Sequence, residues 1–272
     1  MKRWMKAWLV WIFIGYAAPV WAQQNFLQQQ LQYATVQMAY RNKDSLLKAE
    51  FAAKGLNWPP RYLYIRSFKY DSQLEVWVKS NPEDTFRLFK VYRICALSGT
   101  MGPKRMQGDY QVPEGFYYIN HFNPKSSYHL SLGLNYPNTA DLLSIDHSSD
   151  PGGDIYIHGS CVSRGCIPLT DSQIEELYLL ALYAHSAGQD FIPVHIFPIR
   201  FGNPASEEFL SHFTGINPGA EKLWSTLREA YTYFNETHQL PIIMTDASGQ
   251  YVMALPPHKH QPELSQITSS RG

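Results

Sequence analysis

The residues of this chain best suited to chemistry are a histidine and a cysteine eight positions apart. His158 closes the run Asp154-Ile155-Tyr156-Ile157-His158-Gly159, and Cys166 ends Ser163-Arg164-Gly165-Cys166. A thiol becomes a nucleophile when a neighbouring base takes its proton, and backbone N–H groups next to glycine can approach the oxyanion formed on attack. Residue types and spacing therefore predict acyl transfer, with Cys166 as nucleophile, His158 as base, and the N–H groups of Gly165 and Cys166 as an oxyanion hole. Arg164 adds a positive charge that favours the thiolate, and a helix expected to begin near Asp171 adds its dipole in the same sense. No carboxylate is evidently committed to orienting His158, a task the Gly159 carbonyl can perform.

The same residues admit other uses. Cys161 and Cys166 could close a disulfide across a short loop. With His158 they could form part of a zinc site, but a fourth ligand is not evident and no metal or other cofactor is expected. Three cysteines, Cys95, Cys161 and Cys166, are few for a disulfide scaffold. Cys95, in the strand-like run Val91 to Ala96, reads as a small buried apolar residue, and Cys161 as a bystander that packs the loop.

The elements that must position this pair follow from periodicity. The segment from Gln23 to Lys54 has helical spacing, with Gly55 as its C-terminal stop and Pro59-Pro60 beyond. Strands are predicted at Tyr62 to Phe68, Leu74 to Val78 and Phe86 to Ala96, then from Val112 to Ile119, Tyr128 to Leu134 and Asp154 to His158. In the Tyr128 strand, alternation puts Leu130, Leu132 and Leu134 on the core and His129, Ser131 and Gly133 on the other face. His129 there either lines a groove or is an ordinary exposed strand residue. Thr170 and Gln173 form a capping box for a helix ending at Gly188, followed by a strand from Val194 to Phe197 on which His195 reads as a satisfied core histidine. A second long helix begins with Asn217 as cap and Pro218 at its first position. A hairpin pairs Ile242 to Thr245 with Gln250 to Ala254. The result is a β-rich α+β fold.

Composition narrows the functions. Lys plus Arg and Asp plus Glu are equal at 23 each, which argues against nucleic acid as a partner. Lys2, Arg3 and Lys6, the apolar run from Ala7 to Pro19, and Val20-Trp21-Ala22 predict a secretion signal over 1–22, too short to span a bilayer comfortably. Cleavage would leave no stable membrane span and place the protein in the periplasm. No cysteine follows the run, so a lipid anchor is not expected. Lys104 and Arg105 sit in a loop and could meet carboxylates, though charged loops are more often simply solvated.

The strand Ile155 to Gly159 followed by Ser163-Arg164-Gly165-Cys166 resembles the L,D-transpeptidase (YkuD) catalytic domain. Val112-Pro113-Glu114-Gly115-Phe116-Tyr117 is similar to its Thr-Pro-x-Gly-x-Phe segment. Asn135-Tyr136-Pro137-Asn138 and Pro193 to Pro198 are similar to the YafK-type branch. The resemblance covers roughly 60–201. Periodicity and composition flank this stretch with a helical segment at 23–59, a helix and hairpin at 202–255, and a disordered tail at 256–272; the resemblance implies a β-sandwich-like catalytic core within it. It also implies peptidoglycan stem peptides as substrate. Cys166 would attack a diaminopimelate carbonyl, D-alanine would leave, and an amine or water would resolve the thioester. Cys166, His158 and Gly159 carry the catalytic roles, and Arg164, His129, Ser163 and Tyr128 are candidates for substrate binding. Most of the family has Ser-His-Gly-Cys; here Arg164 stands in the histidine place and the His-to-Cys loop is short. Both features match a branch that includes hydrolases releasing a lipoprotein from peptidoglycan, so a peptidoglycan-linked lipoprotein is a second candidate partner. A non-catalytic wall-binding module is the remaining alternative.

Overall fold

The computed structural model describes residues 26–145, 149–217 and 219–255. The predicted leader at 1–22, the tail from Pro256 and Pro218 lie outside them. Eight strands form one continuous curled sheet: β1 (Tyr62–Phe68), β2 (Gln73–Lys79), β3 (Arg87–Arg93), β4 (Gly115–Asn123), β5 (Ser131–Leu134), β6 (Tyr156–His158), β7 (Ile167–Pro168) and β8 (Ile192–Phe197). Their order is β3-β2-β1-β8-β4-β5-β6-β7. The helices are α1 (Ala34–Ala53), α2 (Thr139–Ser144), α3 (Asp171–Ser186), α4 (Pro204–Ser211) and α5 (Ala220–Thr237), and a separate hairpin pairs β9 (Ile242–Thr245) with β10 (Tyr251–Ala254). The fold is α+β.

Central strands are buried on both faces, and their alternation separates two cores. Leu63 and Ile65 of β1 and Val194 and Ile196 of β8 join the larger core, with Leu47 and Phe51 of α1 and Ile174, Leu177 and Tyr178 of α3. Phe68, Phe116 and Phe197 point the other way and pack with Trp224, Leu227 and Ala230 of α5. This second core takes residues from β1, β4 and β8. On the same face, the β5–β6–β7 end of the sheet carries Gly133, Tyr156 and His158 instead.

Local signals explain most boundaries. The Thr170 hydroxyl accepts the Gln173 N–H at 3.3 Å while the Gln173 side chain accepts the Thr170 N–H at 3.0 Å, starting α3 at the predicted place. Asn217 does not cap α5. Its side-chain amide donates to Met101 O and Phe213 O, and α5 starts later, after Gly219 in a left-handed conformation (φ 78°). Two short helices escaped the periodicity reading, α2 behind an Asn138–Asp141 capping box and α4 behind Asn203 with proline in its first turn. The strand predicted from Tyr128 begins at Ser131, because His129 adopts φ 70°. Asp154, at φ 56°, likewise stands outside β6, so it does not share the face of Tyr156 and His158 by alternation.

One buried ion pair ties the layers together. Glu114 Oε1 accepts from Lys69 Nζ at 2.8 Å and from the Gly102 N–H at 2.7 Å, and its Oε2 accepts from Trp224 Nε1 at 2.6 Å. Burial pulls the Lys69 ammonium below its ordinary range while Glu114 acts to restore it. A single carboxylate thus joins the end of β1, the 99–114 loop and α5. Removing it strands a buried cation, which costs about 3–5 kcal/mol. Glu114→Ala is expected to lower unfolding free energy by that amount in a denaturant titration, and a loss under about 1 kcal/mol would show that the pair contributes little.

Candidate active site

The register of β6 against β7 decides which side chains meet. The strands are parallel, with Ile157 opposite Ile167 and His158 opposite Pro168. Ile157 and Ile167 are both fully buried in the larger core. Their chain neighbours must therefore face the other side. Cys166, one residue before β7, falls in line with Tyr156, and His158 lies two residues further along the same face. Diagonal neighbours of this kind are about 7–8 Å apart at the backbone, within span of two side chains reaching toward each other.

His158 is buried, and its Nδ1 lies 2.5 Å from the Gly159 carbonyl oxygen. A carbonyl can only accept, so Nδ1 carries the proton and Nε2 keeps its lone pair. Tyr128 lies against the imidazole, with ring centroids 4.8 Å apart and planes tilted by 35°. Burial depresses the His158 pKa, an effect partly offset by the Gly159 bond, so the ring is neutral at neutral pH. Gly159 has no room for a side chain, since a Cβ there would sit 2.6 Å from Asp171 Oδ1 and 2.9 Å from Tyr128 O. Asp171, the first residue of α3, accepts the Ser160 N–H at 2.9 Å and holds the chain as it leaves the strand.

Cys166 is the free cysteine, half-buried. Its thiol hydrogen-bonds to Asp154 O at 3.6 Å. Burial raises its pKa, a hydrogen bond with the Tyr156 backbone lowers it, Asp154 raises it and Lys104 lowers it. The cation acting on the sulfur is thus Lys104, not Arg164, which is exposed. Lys104 is buried, with its ammonium 2.6 Å from Asp109 Oδ1 and 2.7 Å from Met106 O, so it is not the solvated loop charge expected of it. The start of α3 is closed by its own capping box, with the Thr170 hydroxyl taking the Gln173 N–H.

The cysteine readings need correction. Cys95 and Cys161 form a disulfide with Cα atoms 5.4 Å apart and a sequence separation of 66. Cys95 is therefore not a plain core residue, and Cys161 is not a bystander. A Cys161–Cys166 bridge is ruled out in this state, as is a zinc site that needs Cys161. Among the described residues there is no group of three or more side chains able to hold a metal.

The bridge belongs to a larger clamp. Cys95 N–H donates to Pro168 O at 3.1 Å, just past the nucleophile. Ser98 Oγ accepts the Gly165 N–H at 2.7 Å and lies 3.1 Å from Ser163 Oγ, which donates to Cys166 O at 2.8 Å. Residues 95–98 thus grip the His-to-Cys loop at Cys161, Ser163, Gly165 and Pro168. Two expectations change accordingly. The Gly165 N–H is held by Ser98 rather than pointing into an oxyanion hole, and the Ser163 hydroxyl fastens the loop rather than facing substrate. Gly165 itself is required, because φ is +111° and a Cβ would lie 3.0 Å from Gln111 O.

His129 stands beside Gly159, but its Nε2 is 2.9 Å from Glu175 Oε1 on α3, so its ring is committed to the helix. Tyr128 is 47 % exposed and remains at the surface of the site. His195 is a satisfied core residue, 2.8 Å from Tyr64 Oη and held far below the ordinary histidine pKa, at about 3, by burial and by Arg66. Sequence reasoning missed Lys104 as the electrostatic partner and Ser98 as a loop anchor. Nothing in the local pattern marks Ser98. The pairing of two cysteines out of three in a chain expected to be exported was a usable signal for the bridge.

The profile of the L,D-transpeptidase catalytic domain, YkuD, matches residues 69–196. A protein of Escherichia coli (strain K12) named provisionally as an L,D-transpeptidase, YafK, is 32% identical over 208 residues, covering 75% of this chain and 79% of its own. Among solved structures, the helical cell shape determining protein Pgp2 of Campylobacter jejuni (K307A mutant) is 22% identical with a TM-score of 0.41, over 66% of this chain and 61% of that one. Bd1075 of Bdellovibrio bacteriovorus is 23% identical with a TM-score of 0.38, over 58% of each chain. Both of these matches span less than two thirds of the solved chains. The extent of the match to YafK, together with the catalytic-domain profile over the residues that build the site, places this chain in the L,D-transpeptidase (YkuD) family.

Proposed function

We propose that this protein acts on peptidoglycan stem peptides through a Cys166 thioester. The observation that supports this most directly is that His158, its Nδ1 proton held by Gly159 O, shares a sheet face with the free, half-buried thiol of Cys166. His158 Nε2 takes the thiol proton as Sγ attacks the carbonyl carbon of the L-centre that precedes a D-residue. The Cys166 N–H faces the resulting oxyanion. As the C–N bond breaks, His158 returns the proton to the departing amine, D-alanine, and a thioester remains. An amine from a second stem peptide then attacks that thioester and regenerates the thiol. Water in the same place gives hydrolysis, a second reading favoured by Arg164 in the histidine position of the family motif and by the short loop. Release of a wall-linked lipoprotein is one form of that reaction. Exposed Arg164 and Tyr128, at the rim, are the candidates for contact with the peptide.

A periplasmic location agrees with the predicted leader, and the Cys95–Cys161 bridge suits an oxidising compartment. No helix of the described residues is long and apolar enough to cross a membrane.

Incubation with tetrapeptide muropeptides should give a protein mass increased by the acyl group in the wild type and no adduct in Cys166→Ala, whose turnover falls at least about 10³-fold. Turnover undiminished in that variant refutes the thioester. Adding a free-amine stem peptide separates the two readings, since cross-linked dimers indicate transfer and trimmed peptide alone indicates hydrolysis.

The directions of the pKa shifts also predict a pH profile. Burial lowers His158 and raises Cys166, so the resting pair is neutral imidazole and neutral thiol. Because His158 must be unprotonated to act as base, activity is retained as pH falls until the depressed histidine pKa is reached. The acid limb of kcat/KM should therefore lie below 6.5, and a limb above 7 would show an imidazolium at rest.

The clamp predicts a third outcome. Ser98→Ala, or Cys95→Ser combined with Cys161→Ser, frees the loop and should lower kcat by about 10- to 100-fold, with Ser98→Thr recovering part of the loss. Full activity in the double cysteine variant would show that the bridge serves stability alone.

A further inference from the structure

Two turns beside His158 hold residues other than glycine at positive φ. Ser160, just past Gly159, has φ 61°, and His129, just before β5, has φ 70°. Such conformations cost free energy in a residue with a Cβ and persist where the surroundings fix them. Both turns are fastened from the same helix. Asp171 Oδ1 accepts the Ser160 N–H at 2.9 Å, and Glu175 Oε1 lies 2.9 Å from His129 Nε2. A carboxylate oxygen only accepts, so Nε2 is a proton-bearing nitrogen of the His129 ring. Asp171 and Glu175 are four residues apart in α3 and therefore stand one turn apart on one face of it. Glu175 is buried, and Ile174, Leu177 and Tyr178 anchor the helix in the larger core.

What the two turns enclose is Gly159. Its N–H donates to Leu130 O at 3.2 Å. The place a Cβ would take lies 2.6 Å from Asp171 Oδ1, 2.9 Å from Tyr128 O and 3.1 Å from His129 Cβ. The Gly159 carbonyl holds His158 Nδ1, and Tyr128, the chain neighbour of His129, supplies the ring against the imidazole. A shift of the Ser160 turn would move the carbonyl, and a shift of the His129 turn would move the ring. Of the ionisable groups here, Tyr128 faces His158 directly and Cys166 shares its sheet face, while Asp171 and His129 stand behind Gly159.

We propose that Asp171 and Glu175 are positioning residues for the His158 base, acting through the Ser160 and His129 turns to set the Gly159 carbonyl and the Tyr128 ring against the imidazole. The carboxylates missing from the sequence around His158 are then present at one remove, on a helix packed in the core. The inference rests on the role given to His158 above, and its structural half can be measured without any substrate.

The test pairs an NMR titration of His158 with kinetics on tetrapeptide muropeptides, both on the full-length protein. In the wild type the ring-nitrogen shifts should show a protonated Nδ1 and a bare Nε2, with titration below 6.5. In Asp171→Ala and in Glu175→Ala the two tautomers should mix and the titration should rise toward 6.5 as the ring gains water. In both, kcat should fall about 10-fold while KM changes by less than about twofold. Asp171→Asn and Glu175→Gln keep the accepting oxygen and should recover most of each loss. His129→Gly relieves the positive φ but removes the ring, and should behave like Glu175→Ala. Unchanged tautomer and titration in both alanine variants, equal losses in the conservative pair, or wild-type behaviour of His129→Gly overturns the proposal. Circular dichroism checks that the alanine variants fold; should one not, the other and His129→Gly carry the comparison. Shifted titrations in a protein whose wild type forms no Cys166 adduct uphold the positioning and refute the thioester, whereas an adduct without such shifts refutes the positioning alone.

Discussion

Burial of Ile157 and Ile167 side by side under α3 is the constraint on which the site depends. Side chains alternate across a strand, so fixing these two in the core fixes His158 and Cys166 on the opposite face. A slip of one residue in either strand would send one partner inside and leave the other in solvent. The ladder between them is very short, because β7 has only two residues. Such a ladder cannot set register unaided. The clamp at 95–98 supplies the missing restraint through one covalent bond and hydrogen bonds placed on both sides of Cys166. Catalytic geometry here comes from apolar burial that chooses the face and a tether that chooses the register.

The electrostatics of the pair follow from the same burial. A strand end close to the core is a poor place for charge, so the thiol is pushed up and the imidazole down. The resting state is then a neutral pair, and the proton moves when the carbonyl arrives. A preformed thiolate would need strong positive charge at the sulfur. The nearest such influence, Lys104, is already matched by Asp109 at 2.6 Å. Arg164, read from sequence as that charge, is directed to solvent by the very turn that exposes Cys166. Adjacency along a chain says little about adjacency in space once a loop has positive-φ residues such as Ser160 and Gly165.

Sequence was most informative where one local rule acted alone. The Thr170–Gln173 box starts α3 as read, and β1 spans Tyr62–Phe68 as read, because capping chemistry and β-branched or aromatic runs are self-contained signals. The His158–Gly159 pairing was also legible, since it joins neighbouring residues. Long-range partners were not legible. Cys95 meets Cys161 across 66 residues, Ser98 meets Gly165 across 67, and His129 meets Glu175 across 46. No periodicity encodes such contacts; they exist only once the sheet has closed. His129 shows the consequence, because alternation placed it on an open face while its positive φ ended the strand before it and turned the ring toward α3.

The second core explains why α5 does not reach the site. On the face opposite α1 and α3, aromatic residues of β1, β4 and β8 draw α5 against the sheet. Past β4, the same face offers Gly133, Ser131, Tyr156 and His158, which give a helix little to bury against. α5 stops there for want of apolar surface, and this end is covered by the site's own residues: Tyr128 lies against the His158 ring and the 95–98 segment bonds to the loop, leaving Cys166 half-buried. β7, an edge strand of two residues, has weak support of its own, which is the physical reason a tether is needed beside it. The disulfide and the Ser98 bonds do for β7 what α5 does for β1, holding it in place, while Cys166 just before it stays partly accessible.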